Sequence, residues 1–337
     1  MRWKYGIMFF CLLLAAMPAM GAAEDFYRGN TINLVVGYGP GGGFDTLARL
    51  IAPELEKRTG ATVVVRNIPG GGGVVALNQV AAARPDGLTL MLVNGQAAAL
   101  GQLLSQPAVR YDLTAAATIG LVCPEPVVVL AGKDSPYQRI GDLRTAEKAV
   151  QWAAGGKIDV MGDAAACFSE ALGLNAKIII GYKGSSEAAL SVMRGETDAI
   201  ALTVSTANRY AQDGKLVPLA VLDRHRSDLM PAVPTIFETV ELDARQAWWI
   251  DFRSDIAHLG RYLLTTPGTP PERVDYLAAA IKDILTDKDF IAYVRSKKRV
   301  IAYAEVAETN RRIEKILTLL APEQRRQVRR VLLDKYY

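Results

Sequence analysis

A short apolar run, Ile32 to Val36, breaks into Gly37-Tyr38-Gly39-Pro40-Gly41-Gly42-Gly43. It resumes as Phe44, Leu47, Ala48, Ile51 and Leu55, spaced along one face of a helix. A strand that ends in a glycine turn and feeds a helix is half of a βαβ unit, which commits the chain to an α/β architecture. Glycines let the backbone approach another group closely. The helix behind them offers unpaired N–H groups and the positive end of its dipole. The turn is therefore expected to hold an anion with main-chain atoms.

The same alternation continues along the chain. Thr62–Arg66 leads into Asn67-Ile68-Pro69 and Gly70 to Gly73, then a helix over Val74–Ala83. Leu88–Val93 ends at Asn94-Gly95-Gln96. Val127–Ala131 opens a second set: Ala149–Ala154 with the turn Gly155-Gly156, a helix around Ala164–Leu172, Lys177–Ile180, a helix over Glu187–Arg194, and Ala199–Val204. Leu216–Leu222 is placed as a strand returning to the first set, and the C-terminal third reads as mostly helical. Strands alternating with helices predict largely parallel sheets, and ligands of open α/β sheets bind beyond the carboxyl ends of strands.

The N-terminus reads as a secretory leader. Arg2 and Lys4 precede the apolar stretch Gly6–Met17, and small residues follow up to Ala23, so cleavage is expected between Gly21 and Glu24. The apolar stretch is shorter than the roughly 20 residues of a spanning helix. Cys11 lies inside it without a preceding small-residue pattern, which argues against lipid attachment. Of the formal charge of +4, two leave with the leader, so nothing points to nucleic acid. Export leaves Cys123 and Cys167, either as a disulfide or as two buried thiols.

The catalytic signals are few. Gly37 to Gly42 fits G-x-G-x-x-G, and Arg66 could meet the 2′-phosphate of NADP, which keeps a nucleotide-dependent oxidoreductase open as an alternative. Against it, Pro40 removes an amide, and no acid ends the second strand. His225 and His258 lack ligand-spaced partners, so neither a metal site nor a serine–histidine nucleophile is expected, and no cofactor is assigned. Asp45 is expected to shape the turn by accepting N–H groups, with Arg49 one helical turn on. The basic residues of the tail, Arg325, Arg326, Arg329, Arg330 and Lys335, read as a solvated helix face.

Several segments in order resemble the extracytoplasmic solute receptors of tripartite tricarboxylate transporters, the TctC or Bug family. They are Val36–Arg49, Val65–Gly73, Pro85–Leu90, Gly181–Ser185, Gly195–Ala199, Gly214–Val221, Val233-Pro234-Thr235 and Thr266–Pro270. The resemblance implies a two-lobed periplasmic binding protein of type II-like α/β fold, each lobe a mostly parallel sheet flanked by helices, with a ligand cleft between. The expected bounds are 24–124 plus 221–337 for one lobe and 125–220 for the other. It also implies a monomer without catalysis that closes on a small organic carboxylate and delivers it to membrane permease subunits. A ligand-sensing subunit for a membrane kinase would share the same cleft.

Carried over by position, the ligand contacts implied on the first lobe are Tyr38, Gly39, Gly41, Gly42, Asn94, Gly95 and Gln96. On the second they are Ala154, Gly155, Gly156, Gly184, Ser185, Thr203 and Ser205. One departure stands out. Where members carry a hydroxyl at a second-lobe helix start, this chain has Asp163. Facing the cleft, Asp163 would favour a cationic ligand; as a helix N-cap it would say nothing of the ligand. The stretch Ala244–Leu264, with Trp248 and Trp249, is longer than usual in the family.

Overall fold

The structure, a computed structural model, describes residues 21–297 and 299–337. Most of the expected leader, Cys11 included, lies outside these residues. Residues 21–27 are helical, and the buried Tyr27 donates its hydroxyl to the Gly87 carbonyl at 3.3 Å.

In chain order the strands are β1 (Thr31–Val36), β2 (Thr62–Asn67), β3 (Thr89–Asn94), β4 (Ala117–Cys123), β5 (Val127–Gly132), β6 (Val150–Ala153), β7 (Ala176–Ile179), β8 (Ala199–Thr203), β9 (Leu216–Val221) and β10 (Arg261–Thr265). They form two mixed sheets flanked by helices, ordered β2-β1-β3-β10-β4 and β7-β6-β8-β5-β9. Within the first sheet, β1 pairs in parallel with β2 and β3, while β10 runs antiparallel to β3 and β4. The second sheet repeats the scheme. There β6 is parallel to β7 and β8, and β5 is antiparallel to β8 and β9.

The chain packs as two units. One holds residues 21–94, Pro107–Cys123 and Arg261–Ile313; the other holds Gly95–Gln106, Pro124–Gly260 and Glu314–Tyr337. The second unit thus takes in three segments, Gly95–Gln106, 221–260 and Glu314–Tyr337, whose expected place was the first lobe. Pairing explains this. Strand β9 is held by β5, and the Ala244–His258 helix that follows packs on the Val160–Leu172 helix. Near the chain's end, Tyr336 accepts the Ile178 N–H at 2.7 Å.

Each core follows its sequence pattern. In the Gly43–Thr59 helix the buried residues Leu47, Ala48, Ile51 and Leu55 are the predicted apolar face, set against Ile32, Leu34 and Val36 of β1. Strand β5 is buried throughout, as a continuous apolar run inside a covered sheet should be. In the second unit Trp152 of β6 meets Phe168 edge-on at 5.5 Å. Cys123 and Cys167 are both buried as thiols, one in each unit.

Candidate functional site

In the first unit three parallel strands end on one edge, and their loops gather there. After β1 comes the turn Gly37–Gly42, after β2 the turn Gly70–Gly73, and β3 ends at Asn94. The two glycine turns touch backbone to backbone. A Cβ on Gly37 would lie 2.7 Å from the Gly73 Cα, so only glycine fits. Tyr38 is fixed over this contact. Its hydroxyl donates to the Gly72 carbonyl and accepts from Asn94 Nδ2, both at 2.8 Å, and its ring stacks on Phe44 at 4.7 Å.

Asp45 organises the turn from inside. It accepts the Gly41 N–H at 2.8 Å, Asn67 Nδ2 at 2.9 Å and the Arg49 guanidinium at 3.0 Å. The Arg49 hydrogen bond, reinforced by Gly41 and Asn67, holds its carboxyl down to about 2. The Gly41 amide is therefore spent within the protein, and Pro40 has none. Gly39, Gly42 and Gly43 supply the remaining amides of the turn. Gly42 is the helix N-cap and receives no side-chain cap.

Arg261, at the start of β10, adds a charge that the motif alone does not reveal. Its guanidinium lies 4.6 Å from the centre of the Phe44 ring. Both terminal nitrogens are 3.5 Å from where a Gly43 Cβ would stand.

The second unit builds its edge the same way. Ala154, Gly155 and Gly156 follow β6, Gly184 and Ser185 open the Ser185–Met193 helix after β7, and Thr203 and Ser205 open the Val204–Gln212 helix after β8. These ends share one edge because β6, β7 and β8 are parallel. The Thr203 hydroxyl lies 3.4 Å from the Ser205 hydroxyl and 3.1 Å from that of Thr206.

Asn94, Gly95 and Gln96 do not stay together. Asn94 belongs to the first unit, whereas Gly95 and Gln96 start the Gly95–Leu103 helix of the second.

Asp163 takes neither of its two expected roles in the simple form. Asp159 is the N-cap of the Val160–Leu172 helix; it accepts the Gly162 N–H at 2.7 Å and the Gly156 N–H at 2.9 Å. Asp163 sits a turn further in, buried, with Oδ1 2.5 Å from Arg253 Nε. Burial raises its carboxyl, and the Arg253 guanidinium opposes that rise. Arg253 is wholly buried and donates from Nη2 to Gln96 Oε1 at 3.0 Å.

Arg253 lies in the long Ala244–Leu264 stretch. Its helix also buries Trp249, while Trp248 stacks on Phe252 at 5.3 Å, so these aromatics pack within the fold. One signal could have found Arg253: it shares a helical face with Trp249 and Ile256.

Other features lie elsewhere. A pocket lined by Lys57, Arg58, Phe290 and Tyr293 is at the far end of the Gly43–Thr59 helix from the glycine turns. Arg66, the one residue suited to NADP, is exposed on β2. The basic tail is more engaged than a solvated face: Arg329 donates to the Leu104 carbonyl at 2.8 Å, and Lys335 meets Glu170.

The chain matches the family model described as "Tripartite tricarboxylate transporter family receptor" over residues 47–318. Among curated proteins it is 30% identical to protein BugT of Bordetella pertussis over 227 residues, 65% of this chain and 69% of that one. Its fold is shared with a TctC solute-binding protein from Polaromonas at a TM-score of 0.68 and 24% identity, covering 87% of this chain and 100% of that one. It is also shared with an R. palustris protein solved with adipate, at a TM-score of 0.68 and 20% identity, covering 90% and 97%.

Proposed function

Since the chain belongs to the tripartite tricarboxylate transporter receptor family, a family of periplasmic solute-binding proteins rather than enzymes, we propose that it captures a small organic carboxylate and delivers it to a membrane permease. The reading assigns the carboxylate to the amides of Gly39, Gly42 and Gly43, with Tyr38 and Asn94 beside it. On the second unit it assigns contacts to Ala154, Gly155, Gly156, Gly184, Ser185, Thr203 and Ser205. The ligand stabilises the closed arrangement of the lobes by binding it in preference to the open one. The protein works as an exported monomer without catalysis. Among the described residues no helix is long and apolar enough to cross a membrane, which suits a receptor that hands its ligand to a separate permease.

The observation that carries this reading is the internal neutralisation of Asp45. An acid at a helix start would repel a second anion. Here Arg49, Asn67 and the Gly41 amide answer it, so the turn keeps its pull on an incoming carboxylate.

The test is thermal unfolding of the chain purified from the periplasmic fraction, against succinate, malate, adipate, benzoate, citrate and NADP. A ligand at a hundred times its dissociation constant adds about 2.7 kcal/mol. A rise in Tm with one carboxylate class is expected. A rise with NADP alone would overturn the reading.

A further inference from the structure

Two carboxylates stand at the start of the Val160–Leu172 helix, beside the Gly155-Gly156 turn. A cationic ligand would be the natural partner of that end if both were unanswered. Asp159 is answered by two backbone amides, Gly156 and Gly162, at the positive end of the helix dipole. Asp163, deeper in the helix, lacks that arrangement. It is answered by Arg253, brought in by the Ala244–His258 helix.

The guanidinium bridges Asp163, where the family carries a hydroxyl, and Gln96, which the resemblance makes a ligand contact. Nε faces Asp163 and Nη2 donates to Gln96, while the buried Nη1 has no hydrogen-bond partner among the described residues. A buried charge is tolerated only when paired, and a charged donor left over inside a protein favours an acceptor oxygen nearby.

We infer that Arg253 sets the charge preference of the receptor: it cancels Asp163, so that the second unit accepts an acid where the bare carboxylate would select an amine. The inference rests on the carboxylate-receptor reading above and goes beyond it by naming the residue that excludes amines.

The pair yields a test with opposite signs. The ligand is whichever of succinate, malate, adipate and benzoate binds the full chain most tightly, measured by calorimetry at pH 8.5. Arg253→Gln leaves a buried carboxylate uncompensated and is expected to weaken binding at least about tenfold. Asp163→Asn leaves the cation and is expected to hold or tighten binding. The double variant is expected to return close to the wild-type value. A merely structural pair would instead lower affinity in both single variants, and that result, or no change in either, overturns the inference. Should Arg253→Gln fail to fold, Asp163→Asn decides alone, since weaker binding there overturns it. If the wild-type chain binds none of the four acids and not citrate either, the receptor reading falls and this inference with it.

Discussion

At the scale of single residues, the first glycine turn is held by a buried acid whose partners come from three places in the chain. Asp45 meets Gly41, Arg49 and Asn67, and the set explains why its carboxyl stays ionised down to about 2. Its folded value lies below the ordinary carboxylate value of about 3.9 in an unfolded chain. Its contribution is therefore present above pH 4 and fades as pH falls through 2. Asp45→Asn is expected to lower stability by on the order of 1 kcal/mol at pH 7. In urea melts the gap from wild type should close as pH falls from 4 toward 2. Arg261→Gln is expected to weaken carboxylate binding about tenfold by calorimetry, with the circular dichroism spectrum unchanged. The role of Asp45 was readable because its partners Gly41 and Arg49 are four residues away on either side. That of Asp163 was not. Its partner Arg253 lies far along the chain, and no local spacing distinguishes a capping aspartate from a buried ion-paired one.

At the scale of elements, close backbone approach decides which helices can sit where. Gly162 lets the Val160–Leu172 helix meet the Gly155-Gly156 turn; a Cβ there would fall 2.1 Å from the Gly156 carbonyl oxygen. Gly95 does the same for the Gly95–Leu103 helix, whose Cβ would fall 2.5 Å from the Leu259 carbonyl oxygen. Gly162→Ala and Gly95→Ala are each expected to cost about 1–3 kcal/mol in denaturant unfolding, despite alanine's better helix propensity. Most strands and helices were legible from apolar period and turn residues. Strand β10 was not, because only Leu259 and Gly260 separate Arg261–Thr265 from the long helix, too short a break to mark a new element. The Gly95–Leu103 helix was hidden as well. Its starting glycine reads as part of a loop, and its residues are apolar on nearly every side.

At the scale of the molecule, each unit is assembled from three separate stretches of chain. The sequence reading found the two-part division, since two sets of alternating strands and helices are visible in it. It placed Glu314–Tyr337 with the first lobe, because a charged amphipathic pattern fits any surface and does not say which sheet it covers. In the structure that stretch reaches the second unit through Tyr336, which bonds Ile178 and Glu170, and through Arg329 at Leu104. Removing residues 322–337 is expected to expose the second unit selectively. Hydrogen exchange should rise across Val150–Ile179 and stay low in β1 and β3.

The same interleaving governs the order in which a newly made chain can mature. The first unit is not complete until Ile313 has emerged, and the second must wait for the final tyrosines. For a receptor exported unfolded, as proposed above, this interleaving means that neither unit has all of its stretches until residue 313 is through.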